Sequence, residues 1–204
     1  MLRLRRDGTA RITVPRGGGV LEALDFASRH SWWLAKQLEH RTFHPQLPQP
    51  WEVGSRILFR GEPVLLESTE PISGGVRFAS EVVRFRTRVT DVRPRVETHL
   101  WSLAKRELPA RVMELASAHG FTVGRVSVRN QRSRWGSCSR RGTISLNWRL
   151  IQAPDFVRDY IIYHELAHLR HMNHSARFWS VVSKLCPGFE EAEKWLKQNS
   201  ALLR

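Results

Sequence analysis

Cysteine, methionine, acidic residues over one long stretch and extended apolar runs are all scarce in this 204-residue chain, and each scarcity excludes something. The two cysteines, Cys138 and Cys186, are too few for a disulfide framework and suit a reducing cytoplasm. No stretch approaches the ~20 apolar residues of a membrane-crossing helix. The opening MLRLRRDGTARITVP alternates polar and apolar residues where a signal peptide needs a continuous apolar block. A cytoplasmic protein with no membrane partner is therefore expected. No phosphate loop of the G-x-x-x-x-G-K-[ST] kind is present, which argues against nucleotide specialisation.

Acids are missing altogether between Glu114 and Asp155, while seven arginines fall there, from Arg125 to Arg149. The formal net charge is +14, and 28 of the 33 basic residues are Arg. A bias this strong can reflect composition alone, so placement carries more than the total. A basic wall ahead of the segment described next would favour an anionic substrate or nearby nucleic acid. A merely solvated basic surface explains the charge equally well.

What the chain does have is His164-Glu165-Leu166-Ala167-His168, the pattern H-E-x-x-H, inside PDFVRDYIIYHELAHL. Pro154 suits a first helical position, and Val157, Ile161, His164 and His168 share one face at helical spacing. Two imidazoles four residues apart on a helix can reach one metal ion, and Glu165 lies where it could take a proton from a water on that ion. A catalytic zinc takes three protein ligands and leaves one position open. His171, His174 and the cluster Glu190, Glu191, Glu193 compete for third place. On a continuous helix His171 would stand about 10.5 Å along the axis from His164, too far for bonds of about 2.0–2.1 Å. The third ligand must come from chain that has turned back, and His174 fits if Met172-Asn173 ends the helix, with Asn taking a left-handed conformation. The glutamates remain a weaker candidate, because acids at a helix start more often stabilise its dipole. The separation H-E-x-x-H-x5-H matches a protease pattern that carries Gly where this chain has His171, so close kinship with that group is not expected.

The blocks SRWGSCS, LNWRL, HELAHL and NHSxxFW follow one another between Asn130 and Trp179. In that order and spacing they resemble the YgjP-like metallopeptidases, relatives of the SprT-like zincins, and a weaker likeness extends upstream to FASRHSWWLAKQ. The resemblance implies a zincin-like fold, one zinc ion (or another divalent ion) held by His164, His168 and His174, and Glu165 as base.

The expected fold class is α+β: a zincin-like catalytic domain built on the H-E-x-x-H helix over residues 92–204, preceded by a small β-rich domain over 1–91 with one helix. The N-terminal pattern reads as a hairpin around Asp7-Gly8, then a helix over 20–38 whose Trp32 and Trp33 suit a core or a domain contact. Short strands are expected at about 55–60, 64–68, 76–80 and 82–89, then a helix from Pro94 to His119 that Pro109 kinks or splits. Strands over 123–129 and 143–150 precede the metal helix, and the second could be the edge on which an extended peptide pairs. Helices over 175–185 and 189–202 close the chain.

The leading expectation is a zinc metallopeptidase that uses an activated water, with Glu165 as proton carrier. Arg134, Trp135, Asn147, Arg149 and His171 are candidates for contacting substrate, and Tyr160, His171 or Arg134 could help stabilise an oxyanion. One rival keeps the metal and hydrolyses nucleoside triphosphates, with the arginines on the phosphates. Another is a nucleic-acid-associated module with a structural metal. The partner is thus a polypeptide or a phosphate-bearing substrate, with nucleic-acid association in view.

Overall fold

The computed structural model describes residues 2–4, 9–14, 17–36, 49–69, 74–85, 87 and 89–203. By contacts the chain divides into two units, Met1–Gln49 and Pro50–Arg204.

In the first unit, β1 (Leu2–Leu4) and β2 (Ala10–Ile12) pair antiparallel with Leu2 opposite Ile12, as the alternation predicts. The turn at Asp7-Gly8 lies outside the described residues. Helix α1 (Val20–Arg29) is amphipathic but buries none of its residues, and the chain resumes as helix over 31–36. Trp32 is therefore exposed and Trp33 half-buried, so neither joins a core.

The second unit is built round α2 (Arg93–Ala118), whose buried Val96, Leu100, Ala104, Leu108, Val112 and Leu115 run its whole length. Pro109 does not split it. Side chains on both flanks of the proline are buried, and that packing outweighs the hydrogen bond the ring removes. Against α2 lie the hairpin β3 (Arg56–Phe59) and β4 (Glu62–Leu65), and the sheet β5 (Glu67–Ser68), β6 (Gly75–Phe78), β7 (Glu81–Arg84). Ile57, Phe59, Leu66, Val76 and Phe78 share one core with Val96 and Leu100. By contacts the compact unit begins at Pro50. Apolar faces on these short strands have no core of their own to enter, and α2 supplies it.

A three-stranded sheet follows, in the order β8 (Arg125–Arg129), β10 (Thr143–Asn147), β9 (Gly136–Cys138). β10 is parallel to β8 and antiparallel to β9. The strand expected to reach residue 150 stops at Asn147, whose side chain accepts the Arg149 amide and starts a 3-10 turn over Trp148–Gln152. Three helices complete the fold: α3 (Asp155–Ala167), α4 (Ala176–Leu185) and α5 (Phe189–Asn199). Among the described residues no helix is long and apolar enough to cross a membrane.

The start of α3 is set by the β3–β4 hairpin. The Gly61 amide donates to the Gln152 carbonyl at 2.8 Å, and Gln152 Nε2 donates to the Leu58 carbonyl at 3.2 Å. Gly61 has φ +89°, and a Cβ built there would sit 2.7 Å from Pro154 Cβ, at the cap of α3. Gly61→Ala is therefore strained by both backbone and contact, and should cost about 2 kcal/mol or more. Denaturant unfolding read by circular dichroism checks this; an unchanged midpoint would show that Gly61 is not what lets the hairpin dock on α3.

Candidate metal centre

α3 lies over the inner face of the β8–β10–β9 sheet and is tied down from two directions. Arg111 of α2 grips Asp159 through Nε–Oδ1 at 2.9 Å and Nη2–Oδ2 at 2.6 Å, and Tyr160 donates its hydroxyl to Glu193 of α5 at 2.7 Å. A planar fork on a carboxylate fixes orientation as well as distance. Burial and the neighbouring Glu193 raise the Tyr160 hydroxyl far above its ordinary pKa, so it stays a donor engaged with that carboxylate. It is not free to serve an oxyanion.

His164 and His168, one turn apart, bring their ring centroids to 5.1 Å. The helix stops at Ala167, and a turn over 168–170 sends the chain back. This is earlier than the expected break at Met172-Asn173, and Asn173 does not adopt a left-handed conformation. The His171 amide closes the turn onto the Ala167 carbonyl at 3.0 Å, so no such residue is needed. His174 then lies 5.1 Å from the His164 ring and 4.8 Å from the His168 ring, centroid to centroid. Directly after it, Ser175 caps α4 by accepting the Phe178 amide. Buried Phe178 packs against all three imidazoles at 4.6–4.9 Å, and Trp179 against those of His164 and His174 at 5.9 Å.

The donor set suits one metal ion. One nitrogen from each imidazole lies within 4.8 Å of the others, and the Nε2 atoms of His164 and His174 are 3.1 Å apart. Three nitrogens bonded tetrahedrally to zinc at about 2.0–2.1 Å would stand roughly 3.3 Å from one another, close to the His164–His174 spacing. His168 Nδ1 donates to the His171 carbonyl at 3.1 Å, which fixes that tautomer and leaves Nε2 with a free lone pair. Burial, then the neighbouring His168 and His174, pushes the His164 pKa down to about 4, so the ring is neutral and able to ligate at ordinary pH. The glutamates Glu190, Glu191 and Glu193 are not in this cluster.

Glu165 is 4% exposed, and its Oε2 is buried without a hydrogen-bond partner. Burial pushes its pKa up to about 8, against a lowering by Arg134. The carboxyl lies against Gly136 of β9, where a Cβ would meet Glu165 Cγ at 2.7 Å and Cδ at 2.8 Å. Gly136 is a site residue that sequence reasoning did not single out. In the sequence its segment reads as a loop between two strands, so nothing local marks the close approach that β9 makes there.

A cavity of about 460 Å³ opens beside this group, lined by Arg134, Trp135 and Gly136, by His164 and Glu165, and by Glu193 across from them. Arg134 and Trp135 are thus brought to the site as expected. Asn147, Arg149 and His171 do not line it. Buried Asn147 donates to the carbonyls of Gln131 and Arg134, and so holds the loop that presents Arg134. Arg149 bonds Asn130 and lies over the Trp148 ring at 4.5 Å. His171 contributes its backbone carbonyl to His168. The expected peptide edge is also displaced. β10 has neighbours on both sides, and the open edge beside the cavity belongs to β9.

No curated protein matches the chain. Two solved structures are similar to part of it. The metallopeptidase zymogen abylysin of Pyrococcus abyssi is 27% identical, covering 48% of this chain and 96% of its own, with a TM-score of 0.41. The metallopeptidase zymogen jannalysin of Methanocaldococcus jannaschii is 20% identical, covering 46% and 97%, with a TM-score of 0.40. The family model of the YgjP-like, metallopeptidase domain matches residues 1–199, from the first hairpin to the last helix, and the chain belongs to that family.

Proposed function

We propose that the chain is a zinc-dependent peptidase with a zincin-like arrangement, in which His164, His168 and His174 hold the ion and Glu165 carries the proton. The observation that supports this best is the bare, buried Oε2 of Glu165, one residue from a neutral imidazole in a three-histidine cluster. A divalent ion there would supply Lewis-acid chemistry, making a water acidic near neutral pH and polarising the carbonyl to be cleaved. Beside a cation the ionised form of Glu165 is favoured, and its Oε2, with no competing donor, can then take the water's proton and deliver it to the departing amine. Phe178 and Trp179 exclude water behind the imidazoles, and Arg134 is the positive group in the cavity near the reacting carboxylate.

Glu165→Gln should cut cleavage of an unfolded polypeptide by about 100-fold or more while the zinc content per chain stays the same. His168→Ala or His174→Ala should lose the zinc. Undiminished cleavage by the Gln variant would remove Glu165 from the reaction. Loss of nucleoside triphosphate hydrolysis, with no polypeptide cut by either form, would make the substrate a phosphoester.

Gly136→Ala adds a methyl where the Glu165 carboxyl lies. A displacement of this size costs on the order of 10–100-fold in kcat, with zinc retained. Steady-state kinetics and metal analysis on one preparation test it, and wild-type kcat would refute the cradle.

Proton binding gives a further test in chelator-treated protein. The Glu165 pKa is raised from 4.5 to about 8 on folding, so its contribution to stability is lost as pH rises through that range. His164, lowered from 6.5 to about 4, and His168, also lowered, act oppositely below pH 6.5. Between pH 6.5 and 8 Glu165 acts alone among these, and stability should fall by on the order of 1 kcal/mol per pH unit. Urea titrations of wild type and Glu165→Gln measure this. The slope should vanish in the variant, and a slope shared by both would assign it elsewhere.

A further inference from the structure

Some arginines of this chain are matched by acids and others are not. Arg29, Arg60, Arg93, Arg111 and Arg158 each hold a carboxylate. Arg132, Arg134, Arg140 and Arg141 are exposed and, among the described residues, have no acid within 4.0 Å. Exposed arginines without an acid within 4.0 Å also occur elsewhere, among them Arg56, Arg77, Arg84, Arg95 and Arg177. What sets these four apart is their place: they bracket β9, two ahead of Gly136 and two beyond Cys138, in the turn that returns to β10.

β9 is also the open edge of its sheet. Its pairing settles which backbone groups are available. The Asn147 amide donates to the Trp135 carbonyl at 2.8 Å, and the Ser139 amide donates to the Thr143 carbonyl at 2.9 Å. Residues 135, 137 and 139 therefore turn their polar groups toward β10. By the antiparallel alternation, the N–H and C=O of Gly136 and Cys138 point to the open side. A chain added there meets Gly136, which packs against Glu165, and then passes an arginine pair at either end. Along the chain those arginines stand two to five residues from Gly136. Across the cavity Glu193 accepts the Tyr160 hydroxyl, and Lys197 of the same helix also lines the space.

Resting on the peptidase reading above, we propose that β9 receives an extended peptide with acidic residues on both sides of the bond to be cut, and that Arg132, Arg134, Arg140 and Arg141 set this preference. Guanidinium groups that hold no internal carboxylate need break no ion pair to engage one on a substrate.

The test uses the full-length zinc-loaded protein and peptides that share one unfolded core with Glu, Gln or Lys flanks. The acidic flanks should raise kcat/KM over the basic ones by about tenfold or more at low salt, and the ratio should shrink as salt is added. Replacing Arg140 and Arg141 by Gln should reduce the Glu-to-Gln ratio severalfold. Anisotropy of the labelled Glu-flanked peptide on the Glu165→Gln protein should show the same ratios in binding, without turnover. Equal cleavage of all three peptides, or a preference that survives the arginine changes, overturns the proposal and leaves the peptidase reading standing. If no peptide is cut or bound, both fall. If single-stranded DNA displaces the acidic peptide and its binding depends on the same arginines, the surface belongs to nucleic acid and the proposal fails.

Discussion

The site depends on one unfavourable act of burial, a carboxyl group taken out of water with no partner for Oε2. Leaving a buried acceptor unmatched costs on the order of 1–3 kcal/mol, so the surroundings must hold it there by force of packing. Gly136 provides the room, the inner face of the sheet provides the apolar wall, and α3 provides a rigid stem. The same desolvation that raises the carboxyl's pKa lowers that of His164 next to it. One environment thus leaves a carboxyl that is reluctant to ionise beside an imidazole that is reluctant to protonate. Neighbouring groups whose pKa values are pushed in opposite directions are the usual mark of acid–base chemistry.

That environment has to be stiff to be useful, and the stiffness comes from long-range ties to α3. The Arg111–Asp159 fork fixes it to α2, the Tyr160–Glu193 bond fixes it to α5, and the hairpin at Gly61 fixes its first residue. Phe178 fixes the imidazoles from behind, and it is placed by the Ser175 cap immediately after the third histidine. The NHSARFW block is therefore one device: ligand, cap and backing ring within five residues.

Local rules made much of this legible in the sequence. Helical spacing puts His164 and His168 on one face, and the rise per residue rules out His171 as a third ligand on a continuous helix. Alternation marks several of the short strands to within a few residues, but it merges β4 with β5 and gives no strand at β9. What was illegible involves contacts distant in the chain. Nothing local says that residues 56–84 share a core with α2, because the contact joins segments far apart in the chain. Propensity argued that Pro109 would break a helix that tertiary burial keeps whole. Asn147 and Arg149 carry the right chemistry for a substrate, but they are spent on holding the Gln131–Arg134 loop and the Trp148 ring. Strand order cannot be read from one strand's pattern, which is why β10 looked like an edge and β9, only three residues long, did not.

The shortness of β9 bears on the chemistry. Two outward-facing residues present few main-chain hydrogen bonds, each worth about 1 kcal/mol net, too few to hold a peptide by backbone pairing alone. Affinity must then come from side chains beyond the strand ends, and there the chain has set four unmatched arginines. A long apolar edge would bind more tightly but would also invite another strand of any sequence. A short edge flanked by charge discriminates while avoiding that hazard, because like charges repel a second copy of the same surface.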